Sequence, residues 1–156
     1  MDKKREERVR RLLAEAAGDE HERLKAALST WAISKGFSTE FGRLASGIPD
    51  VLRGTNATPS YLFVGDAKDS TNETADVFAT WERIRGYMRD FGTLIANGSI
   101  KGGFFAIATN TRKAAERWVP FLNAMAESEE LVAAGTANSP DFRVEAVDAR
   151  TFIVMW

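Results

Sequence analysis

Two aspartates and a lysine flank a short apolar segment that is typical of a buried strand. Asp50 follows a proline, and Asp66-Ala67-Lys68 follows the apolar run of residues 61–64 almost directly. Because side chains alternate along a strand, Asp66 and Lys68 should share one face where the strand leaves the core, with Ala67 on the other face. A carboxylate and an ammonium would then lie side by side.

A hairpin should bring the first aspartate to this pair. Val51-Leu52 predicts a second short strand, and the Gly, Asn, Pro and Ser residues of the segment 54–60 predict a turn. Such a hairpin places Asp50 next to Asp66. Two carboxylates at one point repel each other unless a hard cation lies between them, and Mg²⁺ is the usual choice. Mn²⁺ is the expected substitute.

A lysine beside such a cation suits the hydrolysis of a phosphodiester bond. Lys68 would orient the attacking water and offset developing negative charge. The order Pro-Asp, spacer, Asp-x-Lys at a strand end resembles the PD-(D/E)xK nuclease superfamily, which has the restriction-endonuclease-like fold. The resemblance implies that Asp50, Asp66 and the backbone carbonyl of Ala67 bind the metal, with Lys68 as the catalytic amine. The structural alternative is a cap-forming Asp after a turn proline, plus a surface ion pair.

Glu22 is the third candidate acid, and it has two interpretations. Asp19 as N-cap with Glu22 three residues later forms a capping box, which is purely structural. Alternatively, Glu22 points into the metal site and helps to position a second ion. Gly18, Glu22, Arg23 and Leu24 resemble the first helix of archaeal Holliday-junction resolvases, although the Gly is one residue further from the Glu. That resemblance implies Glu22 as a catalytic and metal-binding acid.

Three further polar residues receive no catalytic role. His21 is the single histidine, and one histidine without a second is a poor metal site. Tyr87 matches the Tyr of the Gln-x-x-x-Tyr element of RecB-like nucleases, but position 83 is Arg instead of Gln. That departure and the missing cysteines disfavour the RecB-like branch. Arg83 lies off the apolar stripe of its helix, where a basic side near the active site could hold DNA, although a solvated face of mixed charge is the more frequent explanation.

Composition limits the class of protein. The chain has 156 residues, enough for one domain with a real core, and it has no cysteine and a net charge of −1. The missing cysteines exclude disulfides and Cys-ligated metal centres. They also fit a cytoplasmic location, which we expect. We expect no membrane span, since no apolar run reaches about 18 residues, and no signal peptide. The near-neutral charge argues against strong non-specific binding to nucleic acid.

Hydrophobic periodicity predicts an α/β fold with a mixed β-sheet flanked by helices, in the order αβββαβ, with an extra N-terminal helix and C-terminal strands. This is the order that a restriction-endonuclease-like core requires. We expect residues 1–156 to form a single nuclease-like domain, with 1–17 as a helical extension. The predicted elements are helices at 3–17, 19–35, 75–97 and 112–133, strands at 37–46, 51–52, 61–64, 104–109, 142–147 and 151–155, and loops at 69–74 and 135–140.

The sequence therefore predicts a Mg²⁺-dependent endonuclease that acts on DNA, of resolvase or restriction and defence type. The resemblance implies a homodimer that cuts two strands, and the near-neutral charge suggests that a second copy or a partner subunit completes the DNA surface. The alternative is a catalytically silent nuclease-fold domain that binds nucleic acid or acts as a scaffold.

Overall fold

A computed structural model describes residues 2–69, 77–128 and 141–156, without the side chains of residues 13–17. Within these ranges the chain forms an α/β structure with a mixed six-stranded sheet flanked by helices. The elements are α1 (Lys3–Ser34), β1 (Thr39–Glu40), β2 (Val51–Gly54), β3 (Tyr61–Lys68), α2 (Val77–Ala96), β4 (Gly102–Thr109), α3 (Arg112–Ser128), β5 (Arg143–Asp148) and β6 (Thr151–Met155).

The strand order is β1-β2-β3-β4-β6-β5, and β3 and β4 are the parallel pair at its centre. The predicted crossover from β3 through α2 to β4 is confirmed by this pairing. The other neighbours are antiparallel. Direct connections join β1 to β2, β2 to β3 and β5 to β6, whereas the chain passes through α3 and β5 between β4 and β6. The central strands β3 and β4 are buried along most of their length, so their ends are fixed points for functional side chains.

Each face of the sheet is covered by helices. Leu24, Leu28 and Ala32 recur every four residues on α1, and all three are fully buried. Leu28 and Ala32 belong to the cluster that packs on Phe63 and Ile153. On the opposite face, α2 and α3 bury a larger cluster against β3, β4 and β6. The apolar spacing seen in the sequence therefore assigns each helix to one face of the sheet.

The helix α1 lies unusually close to β3. A Cβ added at Gly65 would lie 2.5 Å from Leu28 Cδ2, so the helix packs directly against the strand backbone at this point. Gly65 immediately precedes Asp66. The close approach of the helix thus fixes the position of the strand end that carries the candidate site.

The prediction of two N-terminal helices separated at Gly18 was wrong. One helix, α1, runs without a break from Lys3 to Ser34. A glycine in a helix interior costs about 1 kcal/mol relative to alanine. The surrounding Ala, Glu and Leu residues are good helix formers and outweigh that cost, so residues 3–17 are the first half of α1 instead of a separate extension. The predicted stop at Gly36 is confirmed, with φ of 104° just after the helix.

The predicted first strand, 37–46, is mostly absent. Only Thr39–Glu40 pairs with β2. Leu44 and Gly47 exchange backbone hydrogen bonds of 2.9 and 3.2 Å in a tight local turn, which takes their polar groups away from the sheet.

The predicted strands at 104–109 and 151–155 are confirmed, and β5 lies within one residue of its predicted range. Residues 75–76 and 129–133 of the two predicted later helices lie outside the described residues, as do the loop 135–140 and residues 70–74 of the loop 69–74. None of the helices described is long and apolar enough to span a membrane.

Candidate functional site

Asp50 and Asp66 meet at one end of the β2–β3 hairpin. Val51 pairs with Gly65, so the next position along the ladder places Asp50 opposite Asp66. The backbone N–H of Asp50 donates to Asp66 Oδ1 at 3.4 Å, and the N–H of Ala67 donates to Asp50 Oδ2 at 2.8 Å. The predicted proximity of the two aspartates is confirmed by these contacts. Their role as metal ligands stays a prediction.

Asp66 is the unusual member of the pair, because its side chain is fully buried. Its Oδ1 accepts from the Asp50 N–H and from Arg83 Nη2 at 3.2 Å, whereas Oδ2 has no hydrogen-bond partner among the described residues. Burial raises the pKa of this carboxyl, and nearby Asp50 raises it further, although Arg83 and Lys68 oppose the shift. A buried carboxylate oxygen without a partner is costly, so it needs an explanation.

Lys68 lies two residues further along β3, on the same face as Asp66. Desolvation lowers the pKa of its amine, with Arg83 acting in the same direction, while Asp66 and Asp50 oppose the shift. A half-buried amine beside two carboxylates is suited to hold a water molecule or to exchange a proton. Asp66 and Lys68 therefore lie on one face of β3, as predicted.

Arg83 was missed as a site residue. It lies on α2, and its guanidinium is the cation that pairs with buried Asp66. Burial lowers the pKa of Arg83, but Asp66 and also Tyr87, one turn further along the helix, raise it above its ordinary value. The signal in the sequence was the spacing: Tyr87 is buried and four residues after Arg83, so Arg83 lies at the edge of the apolar stripe rather than on the solvated side.

His21 was also missed. Its Nε2 lies 3.2 Å from Asp50 Oδ2, so an imidazole from α1 reaches the first aspartate. His21 precedes Leu24 by three residues and Leu28 by seven, which places it on the face of α1 that packs on the sheet. This spacing could have identified it.

Glu22 does not join the two aspartates, contrary to its predicted role. Its side chain is 71 % exposed, and its carboxylate lies 3.9 Å from His21 Nδ1. It borders a cleft of about 230 Å³ whose lining also includes Asp50. The physical reason is rotation, since Glu22 is two residues before Leu24 and so lies about 200° around the helix from the buried face.

Three acids therefore do not converge in this arrangement, and the role of Glu22 as a metal ligand stays a prediction. Over residues 2–69, 77–128 and 141–156, no group of three or more His, Asp or Glu side chains is arranged to hold a metal ion. The acids that lie opposite each other in the β2–β3 ladder are Asp50 and Asp66.

Glu20, not Glu22, is the more buried glutamate of this part of α1. Its carboxylate accepts from Arg23 at 2.6 Å, from Arg150 at 3.2 Å and from Asn110 Nδ2 at 3.2 Å. Arg23 is the main cause of its lowered pKa. This network ties α1 to the β5–β6 turn and to the end of β4, so it has a clear structural role.

Comparison of the chain with protein-family models, with curated proteins and with solved structures finds no match. The interpretation of the site therefore depends on its geometry and chemistry.

Proposed function

We propose that the chain is a Mg²⁺-dependent endonuclease that hydrolyses phosphodiester bonds of DNA, with its site at Asp50, Asp66 and Lys68. The observation that supports this most strongly is Asp66 Oδ2, which has no hydrogen-bond partner within the part of the chain that the structure describes. Its side chain is fully buried next to Asp50 in the β2–β3 ladder and two residues from a half-buried lysine. An apolar or fully paired side chain at position 66 would suit the fold better. The free-energy cost of burying the Asp66 carboxylate is explained if a cation binds there.

The donor atoms suit a hard divalent cation. Asp50 and Asp66 supply carboxylate oxygens, and no thiolate ligand is available in a chain without cysteine. Oxygen ligands with the remaining positions left to water and phosphate are what Mg²⁺ prefers. The Ala67 carbonyl is the third ligand that the motif implies. Glu22 would need a different side-chain position to take part.

Each residue then has a defined task. Bound Mg²⁺ would neutralise charge on the phosphate oxygens and lower the pKa of water. Lys68 would orient the attacking water or accept its proton, which its lowered pKa favours. Arg83 neutralises Asp66 when no metal is bound, and His21 holds Asp50 from the side of α1.

The test is cleavage of a supercoiled plasmid and of a four-way DNA junction, with Mg²⁺ and with EDTA. We expect cleavage with Mg²⁺ only, and its loss in Asp66→Asn and Lys68→Met. The matched controls are Asp141→Asn and Lys113→Met, which change the same residue types at exposed positions. Equal cleavage by wild type and both site variants would show that the activity arises elsewhere.

A second candidate is a catalytically silent nuclease-fold domain that binds nucleic acid or acts as a scaffold. The Arg83–Asp66 ion pair favours it, because an internal cation already neutralises the buried acid. Under this alternative, calorimetry would detect no Mg²⁺ binding and no DNA would be cut. The proposal of a DNA endonuclease also includes a homodimer or a partner subunit that completes the DNA-binding surface.

A further inference from the structure

A second concave surface lies at the opposite end of β3 from Asp66. It is a cleft of about 420 Å³, within the size range of small-molecule sites. We call it the aromatic cleft, after six of its lining residues: Trp31, Phe37, Tyr61, Phe63, Phe104 and Trp156. Tyr61 and Lys68 are seven residues apart on one strand, which is about 23 Å. The aromatic cleft is therefore separate from the proposed metal site.

Two of its aromatic rings are open to solvent. Tyr61 is 39 % exposed and Phe104 is 37 % exposed, and their ring centroids lie 6.1 Å apart. Phe37 supports Phe104 from the inner side at 5.8 Å. Adjacent exposed rings on a rigid strand pair are unusual for a surface that meets only water. They provide flat apolar faces on which another planar ring can stack.

The charge around the aromatic cleft is mainly positive. Lys35 and Arg143 are part of its lining. The acid close to these cations is Glu145, which is held by Lys35 at 3.3 Å and by the Trp31 indole N–H. Two cations in the lining against one neighbouring acid, among the described residues, make this cleft complementary to an anionic ligand.

We propose that the aromatic cleft binds unpaired bases of single-stranded nucleic acid. The bases stack on Tyr61 and Phe104, and the phosphates lie near Lys35 and Arg143. Rings for stacking combined with a basic rim are the two components that single-strand binding requires. Duplex DNA offers the same charge but keeps its bases stacked inside the helix. This inference goes beyond the proposed hydrolysis, since it concerns a separate site and needs no metal.

The experiment uses the full chain in EDTA, with a fluorescein-labelled oligothymidylate of about 12 nucleotides. Binding is followed by anisotropy and by quenching of tryptophan fluorescence, because Trp31 and Trp156 line the aromatic cleft. We expect Phe104→Ala and Arg143→Glu each to weaken binding by about 5- to 100-fold. The matched control is Phe78→Ala, an exposed aromatic on α2, which should bind like wild type.

Three results would overturn the proposal: affinity unchanged in both variants, duplex of equal length bound as tightly, or thymidine monophosphate bound as tightly as the oligonucleotide. A second copy of this chain in the aromatic cleft would instead give a dimer by light scattering, without quenching by oligonucleotide. Asp66→Asn should retain full binding. If the wild type binds the oligonucleotide but cuts no DNA with Mg²⁺, the proposed function alone is refuted. If the wild type cuts DNA but does not bind the oligonucleotide, this inference alone is refuted.

Discussion

Replacing the fully buried Asp66 with asparagine should stabilise the protein while it removes activity. Desolvation raises the pKa of this carboxyl in the folded chain, so the ionised form is disfavoured by folding. Asparagine keeps an oxygen that can accept from Arg83 and from the Asp50 N–H. It removes the charge that the fold must bury. Residues that function demands often lower stability in this manner.

The size and pH dependence of the effect follow from linkage. Because the folded pKa of Asp66 is above the unfolded value of about 3.9, ionised Asp66 costs stability. The cost is absent below the unfolded pKa, grows as the pH rises to the folded pKa, and is complete above it. Asp66→Asn should therefore gain about 0.5–2 kcal/mol at neutral to alkaline pH. For a chain of this size the melting temperature should rise by about 1–8 °C.

Urea unfolding in EDTA, from about pH 4 to about pH 8, measures this gain. The matched control is Asp90→Asn, a second buried aspartate. Both oxygens of Asp90 are satisfied, since Ser46 N–H donates to Oδ2 at 2.8 Å and Ser46 Oγ donates to Oδ1 at 2.9 Å. The amide can turn its oxygen to the Ser46 N–H and its NH2 to Ser46 Oγ, which then donates to the Gly86 carbonyl. The two bonds lose their ionic character, so Asp90→Asn should lose about 1 kcal/mol.

The reasoning is refuted if Asp66→Asn is less stable than wild type at about pH 8 in EDTA. That outcome would mean that Asp66 contributes to stability through its ion pair, as Asp90 does through Ser46. Added Mg²⁺ should reduce the advantage of the variant, because only wild type gains binding energy.

Three further predictions concern the same region. Arg83→Ala should lower the free energy of unfolding in EDTA by about 1–2 kcal/mol, a modest loss because Arg83 is half-exposed. The same variant should bind Mg²⁺ several-fold more tightly in calorimetry, since a competing cation is removed; an unchanged Mg²⁺ affinity would contradict this prediction. Mg²⁺ affinity should increase as pH rises through the raised pKa of Asp66, because the metal binds the ionised carboxylate, and this pH dependence should be absent in Asp66→Asn. Gly65→Ala should lower the free energy of unfolding in urea by about 1–3 kcal/mol, because the added methyl group would meet Leu28. Gly18 has open space around it in a helix interior, so Gly18→Ala should raise the free energy of unfolding by about 0.5–1 kcal/mol. Equal effects of the two substitutions would refute the close approach of α1 and β3.

The proximity of Asp50 and Asp66 could be predicted because it is local. A short turn joins two strands, and the pairing of Val51 with Gly65 follows from the length of that turn. The same locality explains why Lys68 and Asp66 share a face. Alternation along a strand requires no knowledge of the rest of the chain.

The helix contributions could not be predicted as well, because they depend on how each helix is rotated. His21 and Glu22 are neighbours in sequence, yet one reaches Asp50 and the other is mostly exposed. The sequence interpretation favoured the acid, since acids bind metals in related motifs. The apolar spacing of Leu24 and Leu28 would have favoured His21. Arg83 was missed for the same reason. The apolar face assigned to α2 from the sequence left out Tyr87, which is buried and lies one turn after Arg83.

The central claim is that a divalent cation binds between Asp50 and Asp66. Crystals soaked in Mn²⁺ and measured for anomalous scattering test it most directly. We predict one strong peak within about 2.5 Å of carboxylate oxygens of both residues, with Arg83 displaced from Asp66. A map without a peak there, with Arg83 still paired to Asp66 at high Mn²⁺ concentration, would contradict the claim.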